Sequence, residues 1–159
     1  MDNEVKTLHI ANALLLPEVI KLLNEGHTVT LPLRGYSMRP FLENGRDKAL
    51  LRKAEEVKVG DPVLAEIHPG HYVLHRIVDI TGEQVTLRGD GNLGTEQCQL
   101  SNVKAIAIGF YRKGRETLDS IKDRKWRIYS WWWVRLLPLR RYLLFAFHPH
   151  IPRRWKKQS

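Results

Sequence analysis

The sequence predicts a mainly β protein: a compact antiparallel β body with a short N-terminal helix and a helical, basic-aromatic C-terminal tail. Three observations carry this prediction. Short apolar runs follow one another from Asp47 to Tyr111, each ended by a turn signal such as Gly60-Asp61 or Thr81-Gly82-Glu83. A length of 159 residues with 43% apolar content supports one real core rather than two full domains. Finally, 14 of the 26 Lys and Arg fall in residues 111–159 against three acids (Glu116, Asp119 and Asp123), so this tail carries about +11 and residues 1–110 about −2. The expected divisions are therefore 1–26 (helical segment), 27–111 (β domain) and 112–159 (tail).

Residues 10–25 read as a helix. Pro17 fits a first turn, Val19, Leu22 and Leu23 form an apolar stripe, and Gly26 is suited to the stop. Thr28–Leu31 then alternates as a strand, with Pro32 placing it at an edge or at its own end. Further strands are expected at Ala49–Arg52, Pro62–Ile67, Tyr72–Ile80, Gln84–Arg88 and Val103–Tyr111, the third and fourth of these five joined as a hairpin. A charged connector, Arg112–Lys125, leads to the aromatic stretch 128–147. Arg135, Pro138, Arg140 and Arg141 interrupt that stretch, which argues against a plain transmembrane helix and for two short helices divided at Pro138.

All five tryptophans (Trp126, Trp131, Trp132, Trp133 and Trp155) lie in the tail. Tryptophan beside arginine at this density suits peripheral attachment to an anionic membrane face; equally, the tail could fold back onto the β body. Nucleic-acid binding is disfavoured, because the aromatic residues are clustered rather than interleaved with bases on strands. The lone Cys98 excludes an internal disulfide and favours a reducing compartment. Residues 1–10 carry acids as well as Lys6, and the apolar run Ala11–Leu16 is short, so no secretory signal is expected and the location reads as cytoplasmic, with the inner membrane face as an alternative.

Three short motifs carry the candidate chemistry. In Gly35-Tyr36-Ser37-Met38-Arg39-Pro40, Gly35 permits a tight turn and Pro40 ends regular pairing. Such a turn exposes the Ser37 hydroxyl and directs backbone N–H groups at a developing oxyanion, with Gly35, Tyr36 and Met38 as its oxyanion and substrate-binding neighbours. A serine hydroxyl needs a base within reach, and His75 in Tyr72–Val78 offers one, on the strand face it shares with Val73 and Ile77. An acid must orient that histidine. Asp90, in Gly89-Asp90-Gly91-Asn92, and Glu96 are both candidates, and Asp90 could instead hold its own loop. His68, His71 and His75 invite a metal reading, but no nearby cysteine or carboxylate cluster completes a ligand set, so neither metal nor cofactor is expected.

Taken in order, these stretches resemble the conserved boxes of the signal peptidase and LexA-type serine peptidases. Gly35–Leu42 looks like the nucleophile box, Gly60–Ala65 like the strand between the two catalytic boxes, Tyr72–Val78 like the general-base box, and Gly89–Asn92 like the Gly-Asp-Asn box. The match covers roughly residues 28–110. It implies a mostly β fold, a Ser37 nucleophile and a base at His75. Most members have lysine at that position, whereas the archaeal and endoplasmic-reticulum type signal peptidases have histidine. In that branch an acid a few residues beyond the Gly-Asp-Asn box assists, and Glu96 is the nearest positional match. The chain departs from the pattern at Gly35, where signal peptidases usually carry a hydroxyl, and in the N-terminal membrane anchor, for which its one candidate substitute is the C-terminal tail. The 34 residues before Gly35 are too few for the DNA-binding domain of a LexA-like repressor. The expected function is thus a serine endopeptidase acting on a peptide or protein substrate. The alternative is an inert module of the same fold that binds peptides or a membrane surface.

Overall fold

A computed structural model describes residues 15–35, 37–136, 139, 142 and 143. The protein is mainly β, an eight-stranded antiparallel sheet with a helix at each end of the described chain. The first helix, α1, runs through residues 15–24. It stops at Gly26, whose φ of 92° is the left-handed conformation glycine adopts without a Cβ penalty. There the His27 N–H donates to Leu22 O at 3.1 Å and the Gly26 N–H to Leu23 O at 3.1 Å, which satisfies the last carbonyls of the helix in a Schellman arrangement. Val19 and Leu23, one turn apart, are buried. Leu22 departs from the expected stripe: it is exposed, because a position next to Leu23 points about 100° away from the sheet.

The strands are β1 (Val29–Pro32), β2 (Lys48–Lys53), β3 (Pro62–His68), β4 (His71–Thr81), β5 (Gln84–Arg88), β6 (Glu96–Gln99), β7 (Val103–Tyr111) and β8 (Leu118–Ser120), in the spatial order β1-β2-β7-β3-β4-β5-β6. β1 is an edge and ends on Pro32, whose missing N–H is tolerated there. Long β7 is the spine. β2 pairs along one of its edges, while β3 and then β8 share the other. Register shifts in β2, β3 and β4 increase the local twist, and β6 curls back towards β3.

Strand alternation sorts the core onto two faces. Leu51, Leu64, Ala105 and Ala107 pack with Val19 and Leu23 of α1, with Met38 and Leu42, and with Trp126. Val63, Ala65, Ile77, Val85, Leu87, Cys98 and Ile106 form the second cluster, enclosed by the curled end of the sheet. Burying each large side chain contributes roughly 1.5–3 kcal/mol, so both faces hold the strand register.

Two short strands and the course of the tail differ from expectation. β6 reads Glu-Gln-Cys-Gln, with only Cys98 buried, and β8 lies inside the charged connector; both are set by pairing to β5 and β7 rather than by their own propensity. The second helix, α2 (Arg124–Arg135), packs Trp126 and Trp133 inward, so the core crosses the expected boundary at residue 111. Trp133 therefore separates from its neighbours Trp131 and Trp132, which stay exposed. Pro138, and most of the second short helix expected after it, lie outside the described residues. No helix among the described residues is long and apolar enough to cross a membrane.

Candidate active site

Ser37 sits in a loop whose two ends are tied together. The Leu33 N–H donates to Asp47 O at 3.0 Å, and the Gly45 N–H to Leu33 O at 3.0 Å. Buried Asp47 organises the interior: Oδ2 accepts the Glu43 N–H at 2.9 Å and Oδ1 the Lys113 N–H at 3.0 Å, while Arg46 donates to both oxygens. Burial opposes ionisation of Asp47, but these donors outweigh it and hold its carboxyl below the usual range. Met38 and Leu42 plug the loop into the core, and Phe41 stacks on Tyr129 of α2 at 4.7 Å. Gly35 has φ 81°, and its N–H donates to Asn44 Oδ1 at 3.0 Å. That N–H is thereby engaged by the Asn44 side chain. Tyr36 lies outside the described residues.

His75 stands in β4 opposite Val63 of β3 and is buried. Its Nδ1 lies 2.9 Å from Glu96 Oε2, at the start of β6. The two atoms are close but off the line of a directed hydrogen bond. Proximity to the imidazole lowers the Glu96 carboxyl below its usual range against the opposing effect of burial, and His71 and His68 add to the effect. Ser37 and His75 wall one cavity of about 110 Å³, lined also by the apolar Leu33, Met38, Leu42 and Leu74 and by the charged Arg34 and Glu43. Among the described residues no direct hydrogen bond joins the two; they meet across this cavity.

Asp90 is placed elsewhere. It is fully buried and accepts a two-pronged grip from Arg76, with Nε to Oδ1 at 2.9 Å and Nη2 to Oδ2 at 2.7 Å. Arg76 is itself 1% exposed, and its Nη1 donates to Gly60 O at 3.0 Å and Ser130 Oγ at 2.7 Å. The Trp133 Nε1–H donates to Asp90 O at 3.0 Å, and the Tyr129 hydroxyl lies 3.4 Å from Asp90 Oδ2. Of the two acids offered by the sequence, Glu96 is therefore the one beside His75, and Asp90 braces its own loop against β4 and α2.

That loop presses directly on the serine. The Gly91 N–H donates to Ser37 O at 2.7 Å, and a Cβ at Gly89 would stand 2.4 Å from the same oxygen. Only glycine at position 89 allows this approach. The first and third motifs are thus one packed unit, and β4 supplies the second. Sequence reasoning missed Asn44, Asp47 and the bracing role of Arg76. The available signal was Arg76 itself, a charge in the apolar run Tyr72–Val78 that requires a buried partner. His68 and His71 are cross-strand neighbours at the β3–β4 turn, and the described residues contain no group of three or more ligands able to hold a metal ion. No protein-family model and no curated protein matches the chain.

Proposed function

We propose that the chain is a serine endopeptidase in which Ser37 is the nucleophile, His75 the general base and Glu96 the acid that orients it. One observation carries the reading: Ser37 and His75 line a single cavity while a carboxylate stands beside Nδ1 of the histidine. With Nδ1 turned to Glu96, Nε2 is the nitrogen left to take the hydroxyl proton. Ser37 Oγ attacks the scissile carbonyl as His75 takes the proton, and Glu96 stabilises the imidazolium that forms. The imidazolium then protonates the leaving amine, and water, activated by the same base, releases the acyl group from Ser37. With the Gly35 N–H held by Asn44, the backbone N–H groups of Ser37 and Met38 are the remaining candidates for the oxyanion among the described residues of the turn.

The modest volume of the cavity favours small side chains beside the cleaved bond. The resemblance of the four sequence boxes to the signal peptidase and LexA-type group supports both the chemistry and this preference. The test is incubation with a diverse peptide mixture, followed by mass spectrometric detection of new termini. Wild type should generate new termini, and Ser37→Ala and His75→Ala should each lose turnover by several orders of magnitude while melting like wild type. The double variant should be little worse than either single one. A Ser37→Ala protein that cuts as wild type does would overturn the mechanism. A folded wild type that binds peptides from the mixture and cuts none would support the inert binding module instead.

A further inference from the structure

The face of α2 turned away from the sheet has no role in the chemistry at Ser37. At 100° per residue, Arg124, Ile128, Trp131, Trp132 and Arg135 fall on one arc, with Lys125 and Arg127 at its flanks. Ile128 is 55% exposed, Trp131 48% and Trp132 54%, a concentration of large apolar surface not repeated elsewhere on the described helices. Rolling the helix cannot hide them. Its inner face is fixed by buried Trp126 and Trp133, by Ser130 on Arg76 and by the Trp133 indole on Asp90 O.

The charge on the helix has one sign. α2 contains Arg124, Lys125, Arg127 and Arg135 and no Asp or Glu. The acids just before the helix are engaged: Asp119 pairs with Arg112 and Arg115, and Asp123 Oδ2 accepts the Ser120 N–H. Arg135 lies over the Trp131 ring at 3.9 Å, which places a cation at the edge of the aromatic surface. Flat amphipathic rings between arginines fit the headgroup layer of a bilayer, where the indoles reach the acyl boundary and the guanidinium groups meet phosphate. We infer that the outer face of α2 docks on anionic membrane surfaces, lying along the interface without crossing it. The inference is independent of the peptidase reading.

The test uses the full chain and vesicles of phosphatidylcholine, with and without phosphatidylglycerol, at low and high salt. Wild type should bind the phosphatidylglycerol vesicles, ignore the neutral ones, and release as salt rises. Trp131→Ser with Trp132→Ser should weaken binding about tenfold, whereas Val59→Ser, at an apolar position of similar exposure on the body, should bind as wild type. Arg124→Gln with Arg127→Gln alters only exposed positions and gives a second arm, in which binding should weaken and its salt dependence flatten. Four results would overturn the proposal: absence of binding to phosphatidylglycerol vesicles at low salt, wild-type binding by both double variants, tighter binding of a single-stranded oligonucleotide than of vesicles at the same salt, or a lipid-free dimer that the tryptophan variant abolishes. The third would make the arc a nucleic-acid face and the fourth a self-association face.

Discussion

His75 and Arg76 are consecutive residues of β4, and because strand neighbours point to opposite faces they meet different acids for different ends. Arg76 and Asp90 form a sealed pair, each side chain 1% exposed, joined by two hydrogen bonds and extended to Gly60, Ser130 and Trp133. His75 and Glu96 form a looser one: the carboxylate is 40% exposed and the contact is not aligned. A buried bidentate pair is rigid and intolerant of losing a member, as a brace must be. A base that must accept and return a proton needs a partner that stays close while the ring shifts. The same short piece of sheet thus carries the brace and the proposed base on consecutive residues.

The strongest way to break this contrast is to unpair the brace. Asp90→Ala leaves the Arg76 charge buried without a counterion and should cost about 3–5 kcal/mol, read by denaturant unfolding. An Asp90→Ala protein as stable as wild type would remove the distinction between the pairs. Gly89→Ala comes next. Its methyl group would meet backbone, Ser37 O, at 2.4 Å, and backbone cannot swing aside. A loss of about 1–3 kcal/mol is expected, together with reduced turnover as Ser37 is displaced. Trp133→Phe keeps the buried ring but deletes the hydrogen bond to Asp90 O, and should cost about 1 kcal/mol.

The smallest effect sharpens the other side. The Glu96 carboxyl titrates below its ordinary 4.5, so its stabilising contribution is complete above that value and disappears as pH falls through the lower folded value. Asp47, also lowered, acts in the same direction. Asp61 opposes them: burial raises its carboxyl above 3.8, so its ionisation costs stability at higher pH and acidification relieves that cost. Thermal melts of wild type and Glu96→Gln should therefore converge as pH falls below about 4.5, with a small gap above it because the carboxylate is partly solvated.

Much of this arrangement was legible in the residues. Alternation and turn chemistry mark six strands, Gly26 marks the end of α1, and face parity on β4 puts His75 with Val73 and Ile77. Less visible were features decided by tertiary pairing. β6 has almost no apolar pattern, yet it presents Glu96 to His75 because pairing with β5 fixes its register. The choice between Asp90 and Glu96 could not come from spacing, since it depends on which face of β4 each loop reaches. Trp131, Trp132 and Trp133 look equivalent in the sequence; the helical twist buries one and exposes two.

The central claim is that the two acids divide brace from chemistry, and the paired isosteric variants Asp90→Asn and Glu96→Gln, melted and assayed on one cleaved peptide, test it most directly. The account predicts that Asp90→Asn lowers the melting temperature sharply. Glu96→Gln should melt close to wild type at neutral pH while losing turnover by up to about 10⁴-fold. A Glu96→Gln protein with wild-type turnover, or an Asp90→Asn protein that melts as wild type and has lost turnover, would contradict it.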